Sequence, residues 1–86
     1  MIVPTIHLNG TSKERLLEDI EEAHQAICFA IEKLSASGPN ERDYYPQGSA
    51  IFEQARTEHC SRLERLLSVR KELETLAEAI DTGGAK

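Results

Sequence analysis

The sequence is poor in the features that hold together or export a secreted protein. It contains two cysteines, Cys28 and Cys60, in 86 residues, and a single bridge between them would be too few for a secreted disulfide framework. The N-terminal stretch MIVPTIHLNG has neither the basic region nor the apolar run of a signal peptide or a membrane span. We therefore expect a protein of the reducing cytoplasm that is neither exported nor inserted into a membrane.

Positive charge is also scarce. The chain has 10 Lys and Arg against 15 Asp and Glu, which gives a net charge of -5. Binding of duplex nucleic acid needs clustered Lys and Arg that displace counterions from phosphates, so duplex nucleic acid is not an expected partner. A small anionic ligand held by a few local arginines remains compatible with this charge.

No complete catalytic signature is present. His59 and Cys60 are adjacent, and neighbouring side chains on a helix diverge, so they do not form a nucleophile–base pair. Glu58 and Asp43 would form a carboxylate pair only by accident of folding. We therefore expect a protein that is not an enzyme, with no catalytic residue and no cofactor.

Apolar side chains, in contrast, form two long stripes at helical spacing, from Leu16 to Leu34 and from Ile51 to Ile80. The fold class that they indicate is all-α, an antiparallel two-helix hairpin with a short extended N-terminal arm. The predicted segments of this single domain, 1–86, are an arm at 1–10, a helix at 12–35, a loop at 36–48, a helix at 49–80 and a tail at 81–86.

The ends of the helices add three expectations. Thr11 or Ser12 caps the first helix, and Gly38 is available for a left-handed residue after it. The second helix is the longer one, so its last turns lack a partner in the hairpin unless the arm or another chain covers them. Because two amphipathic helices have too little inward surface to close a core, we expect a homo-oligomer, a dimer or higher.

The stretch NERDYYPQGSA places both tyrosines of the chain in the connection between the helices. Aromatic faces can stack on a planar ligand, an arginine fork can bind phosphate, and the start of the second helix can hold an anion. The alternative is that the tyrosines only cap the end of the hairpin core. The ligand-binding residues predicted here are Asn40, Arg42, Asp43, Tyr44, Tyr45 and Gln47.

A second polar cluster, HLNGTS, lies just before the first helix. It can cradle an anion, but it matches no nucleotide-binding motif, and a plain helix cap is the alternative. The two clusters lie at opposite ends of one hairpin, so only a neighbouring chain could bring them into one pocket. The residues predicted to contribute from that chain are His7, Asn9, Thr11 and Ser12.

Histidines lie on both apolar stripes. Counting from the loop places His24 and His59 at a similar height, and His24 with Cys28 has the spacing that zinc ligands use on helices. A complete metal site does not follow, because Cys60 points away from His59, so no metal is expected. We instead expect His59 to be hydrogen-bonded or to support the tyrosines from below, with Arg56 on the flank of the helix. Both residues belong to the predicted ligand-binding set.

The motifs HLNGTS, RDYYPQG and EHCSRLERLLSVRKEL together resemble those of a group of small helical proteins encoded by bacteriophages and prophages. In that group a similar turn and a similar Asn-X-Arg-Asp-Tyr-Tyr-Pro-Gln-Gly loop bracket two helices, and Glu41 occupies the variable position here. The resemblance covers nearly the whole chain. It implies a phage origin rather than an activity, and with it a location in the host cytoplasm.

In size, architecture and origin the chain also looks like the phage sponges that sequester nucleotide immune signals in pockets between subunits. This resemblance implies a non-enzymatic, anti-defence binder of a nucleotide-derived molecule, held by the tyrosine loop and by the HLNGTS turn of a neighbouring chain. The rival hypothesis is a protein-interaction module that docks the RDYYPQG loop onto a host or phage protein.

Overall fold

The computed structural model describes residues 1–83 of the chain, and every regular element in that range is helical. Helix α1 spans Lys13–Ala36, a 3₁₀ helix spans Glu41–Gln47, and helix α2 spans Ser49–Gly83. Helices α1 and α2 pack against each other, and α2 also packs on the 3₁₀ helix. The prediction of an all-α chain with two long packed helices is therefore confirmed. Of the predicted tail, Asp81 to Gly83 belong to α2, and 84–86 lie outside the described residues.

Helix α1 begins and ends at side chains that satisfy its backbone. Ser12 is the N-cap, and its hydroxyl accepts a hydrogen bond from the Arg15 N–H at 3.1 Å. At the other end, the Ser37 N–H and the Ser37 hydroxyl both donate to the Leu34 carbonyl, at 3.1 and 2.9 Å. The expected left-handed Gly38 is wrong, since Gly48 is the one glycine with a positive φ in the described residues. The serine already satisfies the carbonyl that a left-handed glycine would serve.

Contacts along the rod pair the start of α1 with the end of α2. Lys13 Nζ lies 3.5 Å from an Asp81 carboxylate oxygen, and His24 Nε2 lies 2.8 Å from Glu74 Oε2. Near the end of α1, the His59 ring lies against Gly38. The start of α1 is therefore level with the end of α2, whereas the start of α2 lies beyond the end of α1.

The turns of α2 before His59 extend past the end of α1 and pack on the 3₁₀ helix. There the rings of Tyr44 and Phe52 lie 5.9 Å apart. The expectation that the surplus turns of α2 are its last ones is wrong, because the surplus length of α2 is at its start. The arm nevertheless lies at the end of α2, as one of the two alternatives predicted. The result is a rod with extents of 62 × 19 × 17 Å.

The apolar core of this rod is open. Ile80, which is 2% exposed, is the one buried side chain among the described residues. It lies near the N-terminal arm, whose residues Val3 to Ile6 line a cavity of about 450 Å³ together with the end of α2. The stripe residues elsewhere are at best half-buried, and Phe29 is 60% exposed. Within residues 1–83, no helix combines the length and apolar character needed to cross a membrane.

Gly48 makes the junction between the 3₁₀ helix and α2, and its backbone explains why a glycine stands there. Its φ of 97° and ψ of 163° lie in a region that is essentially restricted to glycine.

We expect Gly48→Ala to lower the free energy of unfolding by about 1–3 kcal/mol, measured by urea denaturation. Gly83→Ala is the matched control, because Gly83 has ordinary helical backbone and open space around it. Equal stability of the two variants would contradict the strained junction.

Candidate functional site

The predicted loop is built as a short capped helix. The Asn40 side-chain oxygen accepts from the Arg42 N–H at 3.0 Å and from Arg42 Nε at 3.3 Å. The Asp43 N–H donates to the Asn40 carbonyl, and the Gly48 N–H donates to the Tyr44 carbonyl. Turn-forming residues thus give a 3₁₀ helix that is fixed at both ends. We call residues 40–49, with the side chains of α2 that pack below them, the tyrosine end.

The two tyrosines have different surroundings. Tyr44 is half-buried, and its ring is tilted by 48° against Phe52. Tyr45 is 67% exposed. The capping interpretation therefore describes Tyr44, which closes the end of the helix pair. Tyr45 is the tyrosine whose face is available to a partner.

Two small cavities flank Tyr44. The first has a volume of about 110 Å³ and is lined by Glu41, Tyr44, Tyr45, Gly48, Ser49 and Phe52. The second has a volume of about 200 Å³ and is lined by Ser37, Pro39, Tyr44, Ala55, Glu58, His59 and Arg62. Pockets that enclose small molecules have volumes of about 300–1,000 Å³. A single chain thus has no cavity here large enough to enclose a nucleotide.

The remaining residues predicted for this site lie at the same end of the rod. His59 is half-buried and lines the larger cavity. Arg56 forms a salt bridge with Glu53 at 3.2 Å, and its guanidinium carbon lies 6.0 Å from the centre of the Phe52 ring. Gln47 is exposed at the last position of the 3₁₀ helix. The residues predicted from α2 and the connection therefore lie at one end of the rod, and of these Tyr44, Tyr45 and His59 line the two cavities.

The HLNGTS turn lies at the other end of the rod. The Gly10 N–H donates to the His7 carbonyl at 3.1 Å, and the His7 ring covers Gly10 so closely that a side chain there would collide with it. Ser12 is the helix cap, and Asn9 and Thr11 are exposed. One chain therefore does not bring these four residues to the tyrosine end. A shared pocket would need a second, antiparallel chain.

The histidine of α1 does not face the histidine of α2. His24 Nε2 binds Glu74 at 2.8 Å, and its Nδ1 lies 3.8 Å from Cys28 Sγ. The prediction that His24 and His59 are level is wrong. It assumed that α1 ends and α2 begins at the same height. Glu74 was missed for the same reason. Residues 1–83 contain no group of three or more His, Cys, Asp or Glu that could hold a metal.

The contact with His24 lowers the pKa of Glu74 from its ordinary value of 4.5, first through the hydrogen bond and then through positive charge on His24 when that ring is protonated, on Arg70 and on Lys71. A carboxylate with a lowered pKa in the folded state stabilises the fold above its ordinary pKa, and this stability is lost as the pH falls through the lowered value. The pair therefore contributes at neutral pH and is lost in acid.

We expect wild type to lose more stability than Glu74→Gln as the pH falls below about 4.5, with the free energy of unfolding measured by urea denaturation. Glu72→Gln is the matched control, since Glu72 is an exposed glutamate on the same helix, and it should follow wild type. Superimposable acid profiles of wild type and Glu74→Gln would show that the pair does not contribute.

Comparisons of the chain with family models, with curated proteins and with solved structures gave no match. The interpretation of the tyrosine end therefore rests on its own residues.

Proposed function

We propose that this chain is a non-enzymatic binding protein that assembles into a homo-oligomer and binds a partner through the tyrosine end. The observation that carries the proposal is the exposed ring of Tyr45 on a short helix whose ends are fixed by Asn40 and Gly48. An aromatic side chain that is displayed on a rigid support contributes contact area to a partner with little loss of conformational entropy.

The partner that fits this surface best is a protein segment of the host or of a phage. Tyrosine and arginine are enriched among the residues that dominate binding energy at protein interfaces, and Tyr45 lies three residues from Arg42. The adjoining cavity of about 110 Å³ is a shallow recess, suited to one side chain of a partner. Glu41 at its rim adds a negative group, which disfavours phosphate there.

The second candidate is the nucleotide-binding sponge, and one observation supports it. Tyr44 is the shared wall of both cavities at the tyrosine end, and the larger one also carries His59 and Arg62. A second chain laid antiparallel would bring its HLNGTS turn to this end and enlarge the enclosed volume. In that arrangement the ligand is a nucleotide-derived immune signal, and the pocket lies between subunits.

Homo-oligomer formation is proposed because one chain leaves its apolar stripes open. Ile80 is the one buried side chain in residues 1–83, and a groove of about 400 Å³ runs between α1 and α2. A chain of this length buries a smaller share of its surface than a larger domain does, and association adds to that burial. Packing the open faces of two or more copies would bury the stripes and close the grooves.

The experiment that tests the proposal incubates the tagged oligomer with lysate from phage-infected, defence-positive cells. After washing, bound proteins are identified by mass spectrometry, and small molecules are released by heat and identified separately. We expect a protein that binds again, as a purified component, to the purified oligomer. Stoichiometric release of a nucleotide would instead establish the second candidate. No retained protein or small molecule, from a folded oligomer, would contradict both.

A further inference from the structure

Three chemically active side chains lie in line across the helix pair, far from the tyrosine end. Cys28 Sγ lies 3.8 Å from His24 Nδ1, and the opposite ring nitrogen, Nε2, lies 2.8 Å from Glu74 Oε2. The thiol is partly buried, and the exposed fractions of the His24 and Glu74 side chains are 31% and 49%. The order is thiol, imidazole and carboxylate, which is the order of a nucleophile, its base and a group that orients the base.

The carboxylate determines which ring nitrogen of the neutral histidine carries the proton. An ionised carboxylate only accepts hydrogen bonds, so His24 must donate to Glu74 from Nε2. In the neutral ring Nδ1 then has a free lone pair, and Cys28 Sγ lies 3.8 Å from that nitrogen. The thiol therefore donates its S–H toward a nitrogen that can take the proton. At 3.8 Å the contact is long, as contacts of this kind are before a reagent is bound.

We propose that Cys28 is a reactive thiol, with His24 as its base and Glu74 as the group that positions His24, and that it forms mixed disulfides with low-molecular-weight disulfides. In this step the Cys28 proton passes to His24 Nδ1, and Sγ forms a bond to one sulfur of the reagent. The sulfur–sulfur bond of the reagent breaks, and the departing thiolate takes a proton from His24. Cys28 is oxidised to the mixed disulfide, and the other half of the reagent is reduced to a thiol.

Cys60 is the internal control for this proposal. It is exposed on α2, and among the described residues it has no hydrogen-bonded histidine, since the adjacent His59 points toward Gly38. Exposure alone predicts that Cys60 reacts faster than the partly buried Cys28. Base assistance predicts the opposite order, because an ordinary thiol is only a few per cent thiolate at neutral pH.

The test measures the rate of alkylation by iodoacetamide at each cysteine of the wild-type protein, by peptide mass spectrometry. At neutral pH we expect Cys28 to react roughly fivefold faster than Cys60, since transfer of the thiol proton to His24 during attack outweighs the greater exposure of Cys60. In concentrated urea the two rates should become equal. A native Cys28 that reacts no faster than Cys60 overturns the proposal, and this measurement needs no variant.

Two variants identify the source of the effect. Glu74→Gln replaces an acceptor-only carboxylate with an amide that can accept or donate, so Nε2 no longer has to carry the histidine proton and Nδ1 is no longer fixed as the acceptor for the thiol. We expect Glu74→Gln and His24→Gln to slow Cys28 roughly fivefold and to leave Cys60 within twofold, with helix content checked by circular dichroism. Unchanged Cys28 rates in a folded Glu74→Gln variant overturn the assigned roles.

The pH profile separates base assistance from simple packing. Besides Glu74, the charged groups near His24 and Glu74 are Glu21 on α1 and Arg70 and Lys71 on α2. The rate ratio of Cys28 to Cys60 should be largest near neutral pH and approach one above pH ~9, where ordinary thiols are ionised. Glutathione disulfide should give one adduct per chain, at Cys28; an adduct at Cys60 alone overturns the proposal.

Discussion

Leu73→Glu should dissociate the assembly and lower the thermal midpoint by more than about 10 °C. Leu73 is half-buried and lines the open groove between the helices, where Leu17, Ile20 and Ala77 are its apolar neighbours. Burial of a leucine side chain contributes about 1.5–3 kcal/mol, and a charge at the same place adds a desolvation cost when a second chain covers the groove. In a domain of this size each kcal/mol shifts the midpoint by about 4–8 °C.

The measurement is sedimentation velocity together with thermal unfolding at several protein concentrations. Thr75→Glu is the matched control, because it adds the same charge two positions away at an exposed site, and it should behave as wild type. The midpoint of wild type should rise with concentration, as it does for any assembly that stabilises the folded state. If Leu73→Glu has the same mass and the same thermal midpoint as wild type, no second chain covers the groove.

Tyr45→Ala should weaken retention of the captured partner by at least roughly 30-fold, which corresponds to the loss of about 2 kcal/mol at an interface hot spot. The free energy of unfolding should change by less than about 0.5 kcal/mol, since Tyr45 is largely exposed and substitutions at such sites have small effects. Tyr44→Ala should instead lower stability, because its ring packs on Phe52. The two tyrosines would thereby be separated into a binding residue and a structural one.

Phe29→Ala is the control for the loss of an exposed aromatic ring. Phe29 is 60% exposed on α1 and lies outside the tyrosine end, so its removal should leave retention of the partner intact. Affinity is measured by titration of the partner into each purified variant. Equal affinity of wild type and Tyr45→Ala, with both folded and assembled, would exclude the tyrosine end as the binding surface.

The helices could be predicted because their sequence signals are local. Apolar spacing identified both stripes, and the residues before Lys13 included the serine that caps α1. The turn sequences alone could not show which glycine has a positive φ. Ser37 satisfies the carbonyl at the end of α1, and among the described glycines the positive φ occurs at Gly48, where the chain turns into α2.

The relative height of the helices could not be predicted, because it depends on how far the connection rises before the chain returns. Once the connection forms a 3₁₀ helix, α2 starts beyond the end of α1. That shift pairs His24 with Glu74 rather than with His59. The same packing distinguishes Tyr44 from Tyr45, although the sequence shows them only as equal neighbours.

The need for a second chain is tested most directly by native mass spectrometry of the wild-type protein at micromolar concentration. One chain leaves the apolar groove between its helices open, so we expect species at integer multiples of the 9.6 kDa chain mass, from the dimer upward. A species of 9.6 kDa alone, whose helix content and thermal midpoint do not change on dilution, would contradict the assembly and the proposed function that depends on it.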